Sequence, residues 1–411
     1  MASERNPVNR AEEFVLRICR NSCLSLWCYN NPRGRGGKEL CDILVVCQPH
    51  IIIVSVKEVI LGSSGTLEVE HERWQRRAVE ASVKQIEGAQ RWLESASHVV
   101  RSDGSRGLDL PPLMDREVHR IAVALGGKGE VCLTARDMGK GFVHVMDEQS
   151  FLEVLTELDT ITELVEYLEA KEALVTGGCS AIFEGPESNM LGWYLYNGRS
   201  FPQGPTMMVM DGNIWQGMKK KPEFIRRKQA DRESYIWDEL IESYSDPEAK
   251  PVLGSGETLT QLELGLRVMA RETRFSRRIL GRGFRQFLEL AKARKVRSRT
   301  MRGPSGIIYV LVSFSAGLDQ KLRYGEMVMR CYAARHRIGS GEIVVGIGIG
   351  KFLPGVGTAM ELAYLSLPNW SPQDDEKAIS MMAQLGVNDG RPFEHLDEDE
   401  FPLSDSRTGI R

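Results

Sequence analysis

Apolar and polar residues alternate along the chain with two different periods, and these periods predict the secondary structure. Short apolar runs rich in β-branched residues predict strands over 40–47, 50–61, 118–125 and 141–147. Stretches with apolar residues every three or four positions predict a helix that begins at residue 11, a helix over 72–96, and one or two helices over 150–174. We therefore expect the first part of the chain to form a sheet with helices packed against it.

The sequence pattern of the second part of the chain differs from that of the first, and the change begins at a glycine-containing segment near residue 176. Charged or basic helices are predicted over 223–244, 259–295 and 320–338, and strands over 307–315 and 342–350. The stretch from residue 369 is acidic and contains proline, and it predicts a partly disordered tail. The expected fold class is α/β, with one domain at 1–175, a second α/β domain with a basic helix at 176–368, and the tail at 369–411.

Composition and charge exclude few classes of protein. The chain has 411 residues, of which 42% are hydrophobic and 27% charged, as in ordinary globular proteins of about two domains. The net charge is -3, so the protein as a whole is not basic. Any contact with nucleic acid is therefore expected to rest on local basic patches.

The amino-terminal residues and the cysteines predict a cytoplasmic protein. MASERNPVNRAEEF is polar and lacks the apolar core of a signal peptide, and no apolar stretch reaches the length of a membrane span. The 8 cysteines include no C-x-x-C pair, so we interpret them as small buried hydrophobes in a reducing compartment. No membrane contact is expected.

The first two predicted strands carry the most specific chemistry. Asp42 lies in the first strand and Lys57 in the second, and Ser55 shares a face with Lys57 because side chains alternate along a strand. A carboxylate and a lysine at the ends of neighbouring strands are the parts of a Mg²⁺-dependent hydrolase, in which the metal takes oxygen ligands. The register of the two strands is open, and a buried salt bridge between Asp42 and Lys57 is the alternative.

An acid on one strand, followed about 10 to 15 positions later by acid-x-Lys on the next strand, is the pattern of the PD-(D/E)xK nuclease superfamily. The chain resembles this pattern, and its order of helix, strand, strand, strand, helix resembles the core of that fold. The longer string GKELCDILVV…IIIVSVK is similar to a block found in uncharacterised bacterial proteins. Asp42 matches the first acid and Lys57 the lysine, whereas Ser55 stands where the superfamily has Asp or Glu. The resemblance implies a restriction-endonuclease-like mixed sheet flanked by helices.

The same resemblance implies an activity. It suggests a metal-dependent endonuclease that uses Mg²⁺ or Mn²⁺ to hydrolyse phosphodiester bonds of DNA rather than RNA, in bacterial defence or DNA processing. Ser55 would take part with Asp42 and Lys57. The alternative is a catalytically inactive protein of the same fold that binds nucleic acid or a protein partner, and Ser55 at the acid position motivates it. A homo-oligomer is compatible with either hypothesis.

Two further side chains are candidates for this site. Glu12 shares a helical stripe with Leu16 and Cys19, so it is expected to lean inward, and the superfamily often has a metal-binding acid on its first helix. Gln85 shares a stripe with small alanines, which would carry its amide towards the sheet to steady the catalytic groups; a surface or capping role is the alternative. Glu39, three residues before Asp42, would lie on the opposite face if it were already in the strand.

A basic stripe in the second half is the candidate surface for nucleic acid. Arg274, Arg278, Arg282 and Arg285 recur at helical spacing and would neutralise phosphates. The alternative is a solvated helix surface paired with acids elsewhere. His119 and His144 lie in predicted strands, where a core or surface role is more common than metal ligation.

Overall fold

The computed structural model describes residues 10–60, 66–127, 136–137, 141–177, 180–183, 186–202, 207–210, 212–245, 259–314, 319–350, 360–387 and 398–402. The protein is a mixed α/β chain that divides into two compact units, 1–221 and 222–411. The sequence pattern predicted a domain boundary near residue 176, and the division between the two units lies about 45 residues after it.

The first unit contains seven helices and ten strands in its described residues. The helices are α1 (Arg10–Cys23), α2 (Leu67–Trp74), α3 (Ala81–Leu93), α4 (Glu148–Glu157), α5 (Ile161–Thr176), α6 (Glu187–Tyr196) and α7 (Ile214–Lys219). The strands are β1 (Cys28–Asn30), β2 (Ile43–Cys47), β3 (His50–Glu58), β4 (His98–Val100), β5 (Arg106–Asp109), β6 (Glu117–Leu125), β7 (Arg136–Asp137), β8 (Phe142–Met146), β9 (Ser180–Phe183) and β10 (Met207–Met210). A π-helical segment, Gln75–Glu80, joins α2 to α3.

One mixed sheet organises this unit. Its strand order is β1-β2-β3-β6-β8, with the two-residue β7 at the far edge. β1, β2 and β3 are antiparallel to one another, whereas β3, β6 and β8 are parallel. The chain returns from β3 to the parallel β6 through α2 and α3, as a parallel pair requires. β4 with β5, and β9 with β10, form two small separate sheets.

Both faces of the main sheet are buried, which explains why its central strands are almost continuously apolar. On one face, Leu44, Ile51 and Ile53 pack against α3 through residues such as Ile86 and Ala89. The side chains of opposite parity, among them those of β3 and β6 at positions 52, 54, 121 and 123, are equally buried. Burying both faces fixes the register, because a shift of one residue would exchange the two sets of side chains.

The second unit is built around a four-stranded sheet of order β11-β12-β13-β14. Its strands are β11 (Ser298–Arg302), β12 (Ile308–Ser313), β13 (Ile343–Ile349) and β14 (Met360–Ser366). β12 and β13 are parallel, and the two outer strands are antiparallel to their neighbours. Its helices are α8 (Pro222–Ala230), α9 (Tyr235–Ser245), α10 (Leu259–Ala270), α11 (Arg274–Lys292), α12 (Gln320–Ile338) and α13 (Pro372–Leu385).

Three sequence predictions need correction in this unit. The helix predicted over 259–295 is two helices, because Thr273 caps α11 by accepting a hydrogen bond from the backbone N–H of Ser276. The helix predicted over 223–244 is interrupted by a 3₁₀ turn at Asp231–Ser234. The segment predicted as a partly disordered tail contains α13, whose start is fixed by a capping box between Ser371 and Asp374.

Two general expectations can be compared with the structure. Among the described residues, no helix is both long and apolar enough to cross a membrane. The cysteines within the described ranges carry free thiols and are buried, as their interpretation as small hydrophobes required.

Candidate functional site

The β2–β3 hairpin brings Asp42 and Lys57 together. Ile43 pairs with Val54 in the antiparallel ladder, so the residue before β2 lies beside the end of β3. The backbone N–H of Val56 donates a hydrogen bond of 2.5 Å to Oδ2 of Asp42, and Nζ of Lys57 lies 3.6 Å from the same oxygen. The register that the sequence left open is therefore the one that joins the acid to the lysine.

The environments of these two charges differ. Only 3% of the Asp42 side chain is exposed, whereas 32% of the Lys57 side chain is exposed. A buried carboxylate is retained only when it is paired and hydrogen-bonded, and Asp42 meets that condition through Val56 and Lys57. Because Lys57 reaches solvent, the pair is not sealed inside the core, and a ligand can approach the amine.

Ser55 and Gln85 form a hydrogen-bond relay on the α3 side of the sheet. The fully buried hydroxyl of Ser55 donates to Oε1 of Gln85 over 2.8 Å. Nε2 of Gln85 in turn donates to Oε1 of Glu39 over 3.4 Å. Gln85 thus points inward as the alanine stripe predicted, and it connects Ser55 to a nearby carboxylate.

Glu39 belongs to this site, although the sequence placed it elsewhere. Burial, then the charge and hydrogen bond of Asp42, then the charge of Glu12 raise the pKa of Glu39 to about 7, and only Lys57 opposes the shift. β2 begins at Ile43, so Glu39 precedes the strand and the alternation of faces does not apply to it. The only signal in the sequence was its nearness to Asp42.

Glu12 approaches the same carboxylates from α1. It is 7% exposed, which confirms the inward direction that its helical stripe predicted. Nδ2 of Asn31 donates to Oε2 of Glu12 over 3.5 Å, and the backbone N–H of Asn31 donates to the carbonyl of Asp42 over 2.9 Å. Asn31 has a φ of 44°, a left-handed conformation that asparagine tolerates better than most residues. It links the helix to the start of β2, a role the sequence did not reveal.

The carboxylates of Glu39 and Asp42 in this cluster suit a hard divalent cation, and Lys57 places a positive charge beside them. Carboxylate oxygens are the ligands that Mg²⁺ prefers, and one or two of them suffice because the ion keeps several waters. After burial, the charge of Asp42 is the next cause of the raised pKa of Glu39, because the two carboxylates repel each other when both are ionised. A bound cation would remove that repulsion, so these two residues are the best placed to hold one, with Glu12 adding negative charge.

The basic stripe of α11 is not an open surface. Arg274 is 3% exposed and Arg278 is fully buried. Arg274 pairs with Asp238 over 2.7 Å, and Arg278 pairs with Asp231 over 3.1 Å and with Glu398 over 2.8 Å. The prediction that these two arginines contact nucleic acid is therefore wrong, because carboxylates inside the second unit neutralise their charges.

The other two arginines of the stripe differ from each other. Arg282 forms ion pairs with Glu233 over 2.6 Å and with Glu398 over 2.7 Å. Arg285 is exposed. Among the four, only Arg285 remains on the surface in the way that the sequence analysis required. The helical spacing was read correctly, but spacing alone does not distinguish a basic stripe that faces solvent from one that is buried in ion pairs.

His119 and His144 lie in the sheet, as predicted. Both are buried, and burial lowers the pKa of each ring; for His119, with the charges of His50 and Arg120 adding to the effect, the pKa falls to about 4. Both imidazoles are therefore neutral near pH 7. His119 lies beside His50, with 5.6 Å between the ring centroids.

The chain was compared with protein-family models, with curated proteins and with solved structures, and no match was found in any of the three. Function is therefore argued from the side chains that the fold brings together. The cluster of Glu12, Glu39, Asp42, Ser55, Lys57 and Gln85 at the edge of the β2–β3 hairpin is the candidate site.

Proposed function

We propose that the first unit is a Mg²⁺-dependent nuclease of the PD-(D/E)xK kind, with a restriction-endonuclease-like arrangement of α1, the β2–β3 hairpin, α3 and the parallel β6. The observation that carries the proposal is the 3.6 Å contact of Lys57 with Asp42, together with Glu39, which lies near enough for both charges to act on its pKa. Glu39 supplies the second acid that Ser55 cannot provide. The substrate class is DNA, cleaved at a phosphodiester bond.

Each residue has a distinct part in this proposal. Asp42 and Glu39 would hold Mg²⁺, which supplies positive charge at the phosphate and lowers the pKa of a water molecule. Lys57, whose amine is held 3.6 Å from Asp42 and reaches solvent, is placed to orient the attacking water and to offset the charge that develops on the phosphate. Gln85 fixes the direction of the Glu39 carboxylate through its 3.4 Å hydrogen bond.

Positive charge for the DNA backbone is available next to the site. Lys38 directly precedes Glu39, and Lys84 directly precedes Gln85, and both side chains are exposed. Each phosphate that a lysine neutralises releases counterions, which gives binding a salt dependence. These two residues replace the α11 stripe as the proposed contacts with nucleic acid.

The proposal is tested by cleavage of plasmid and single-stranded DNA with Mg²⁺ or Mn²⁺, and with a chelator. Asp42→Asn, Glu39→Gln and Lys57→Met are each expected to reduce cleavage by about 100-fold or more, the usual effect of removing a group that stabilises the transition state. Glu58→Gln is the matched control, since Glu58 is the exposed last residue of β3 and follows Lys57. Equal cleavage by the wild type and all three variants would overturn the proposal.

A second candidate is a protein of the same fold that binds DNA without cutting it. The specific observation in its favour is that Oδ2 of Asp42 already accepts a 2.5 Å hydrogen bond from Val56, while the motif's second acid is Ser55. In that case the protein produces no cleaved DNA with either Mg²⁺ or Mn²⁺, but it still binds labelled DNA. Lys38→Ala and Lys84→Ala should each weaken that binding and reduce the slope of log K against log salt by about 1.

A further inference from the structure

A second group of possible metal ligands lies in the first unit, at the other end of β3. His50 is the first residue of β3 and Glu117 the first of β6, and the parallel ladder pairs them directly. His119 follows two residues after Glu117, on the same face of β6. Glu169 reaches the group from α5. One ligand atom from each of these four residues lies within 4.8 Å of the other three, and no other such group of three or more occurs in the described part of the chain.

This group is separate from the proposed nuclease site. Arg120, between His119 and Ile121, donates a 2.6 Å hydrogen bond to Gln90 on α3, so its side chain lies on the α3 face of the sheet. His119 has the opposite parity and therefore faces away from α3. Ser55, by contrast, bonds to Gln85 on α3. The two sites occupy opposite faces, and neither proposal depends on the other.

His119 supplies an independent sign that a ligand belongs here. It is 6% exposed, and its buried Nε2 has no hydrogen-bond partner. Buried polar atoms in folded proteins are nearly always satisfied, because leaving one unpaired costs free energy. A metal ion binds an imidazole through a ring nitrogen that carries no proton. A cation among the four residues would give this nitrogen a partner.

The remaining ligands supply charge and access. Nδ1 of His50 lies 2.8 Å from Oε2 of Glu117, and half of the Glu117 side chain is exposed. Glu169 is also exposed. Two carboxylates in one place repel each other, and a divalent cation would neutralise both. The exposed carboxylates leave a path by which an ion can enter from solvent.

We propose that His50, Glu117, His119 and Glu169 form a Zn²⁺ site that ties the starts of β3 and β6 to α5. Two imidazoles and two carboxylates match the nitrogen and oxygen ligands of four-coordinate zinc, with metal–ligand distances of about 2.0 to 2.2 Å. Mg²⁺ is disfavoured because it takes oxygen ligands almost exclusively. With four protein ligands the site is closed, and its role is structural.

The test uses the full chain, stripped of metal with a chelator and titrated with Zn²⁺ against a chromophoric competitor. One tightly bound zinc per chain is expected, with a rise in the thermal midpoint that is absent when Glu117 and Glu169 are both changed to glutamine. Co²⁺ in place of zinc should give visible ligand-field bands without the near-ultraviolet absorption of thiolate ligands, which excludes the cysteines. Binding of no zinc, or a thiolate spectrum, would overturn the proposal.

Variants assign the ligands. His119→Ala and the paired change Glu117→Gln with Glu169→Gln should each weaken zinc binding by more than the ~10–100-fold that loss of an outer-sphere partner causes. The carboxylate variants are expected to fold even if His119→Ala does not, because both side chains are exposed. His98→Ala is the matched control, since His98 lies in the same unit and contacts Arg106 instead. Unchanged affinity in the carboxylate variant would contradict the assignment, and unchanged affinity in Asp42→Asn is expected, because that residue lies on the other site.

Discussion

Ser55 donates its hydroxyl proton to the amide oxygen of Gln85 over 2.8 Å, and this bond sets which end of the amide faces Glu39. Ser55→Ala should therefore free the amide to rotate and weaken the link to Glu39. The lost hydrogen bond is expected to lower the free energy of unfolding by about 0.5–1.5 kcal/mol. Chemical denaturation of the wild type and the variant measures this change.

A double-mutant cycle shows whether the relay acts as a unit. If Ser55 and Gln85 depend on each other, Ser55→Ala and Gln85→Ala together should cost less than the sum of their separate effects. Cleavage rates should follow the same pattern if Gln85 positions Glu39. Strictly additive effects on both the free energy of unfolding and the cleavage rate would show that the 2.8 Å contact does not couple Ser55 to Gln85.

The raised pKa of Glu39 predicts a pH-dependent stability in metal-free protein. The carboxyl keeps its proton to about pH 7 in the fold, whereas its ordinary pKa of 4.5 applies when the chain is unfolded. Its contribution to stability is present in full below pH 4.5 and is lost as the pH rises through 7. Glu39→Gln cannot ionise, so its thermal midpoint should rise relative to that of the wild type between pH 5 and pH 8.

The measurement is thermal unfolding followed by circular dichroism at several pH values with a chelator present. Glu58→Gln, at the exposed end of β3, is the control and should track the wild type at every pH. Adding Mg²⁺ should narrow the difference between the wild type and Glu39→Gln at pH 8 if these carboxylates hold the ion. A difference that stays constant from pH 5 to pH 8 would contradict the prediction.

Arg278 is expected to stabilise the second unit rather than bind DNA. It is fully buried and paired with Asp231 and Glu398, so Arg278→Met would remove one cationic partner from each of two carboxylates. Breaking a buried ion pair from one side costs about 3–5 kcal/mol. Arg285→Met, on the same helix but exposed, should change stability by no more than about 0.5 kcal/mol. Denaturant titration of both variants checks the contrast, and equal effects would refute it.

Gly281 lies in α11 because the helix approaches the backbone of Glu233 closely. A Cβ at this position would overlap the carbonyl oxygen of Glu233. Gly281→Ala should therefore destabilise the second unit by about 1–3 kcal/mol, although alanine is the better helix former by about 1 kcal/mol. At Gly283 the added Cβ would meet the flexible side chain of Met301, so Gly283→Ala should cost less. The free energies of unfolding of the Gly281→Ala and Gly283→Ala variants test this prediction, and an equal loss of stability in both would contradict it.

The sequence located the strands of the main sheet well where apolar runs were uninterrupted. Residues 50–58 of the predicted 50–61 form β3, and 118–125 falls within β6. These strands are buried on both faces, so their composition is close to unambiguous. β11 and β14 were missed. Both are edge strands that are partly exposed, so polar and apolar residues are mixed along them and the apolar pattern that predicts a strand is weak.

The helix at Pro372–Leu385 was missed for a different reason. Its acidic composition suggested disorder, whereas its ends carry local signals: Ser371 and Asp374 form a capping box, and Gly386 adopts the left-handed conformation that ends many helices. Hydrogen bonding at the termini therefore outweighed the average polarity of the segment. Reading the caps before the composition would have found it.

By itself the sequence determined an α/β chain, the β2–β3 hairpin, and the inward direction of Glu12 and Gln85, because periodicity and β-branched composition are local properties. Only the tertiary structure decided the hairpin register, the presence of Glu39 beside Asp42, and the burial of Arg274 and Arg278. These three depend on which distant segments meet. The spacing of charged residues along one helix or strand predicts the direction in which a charge points. The partner of that charge comes from another part of the chain, and this partner decides whether the charge is neutralised in the interior or free to bind a ligand.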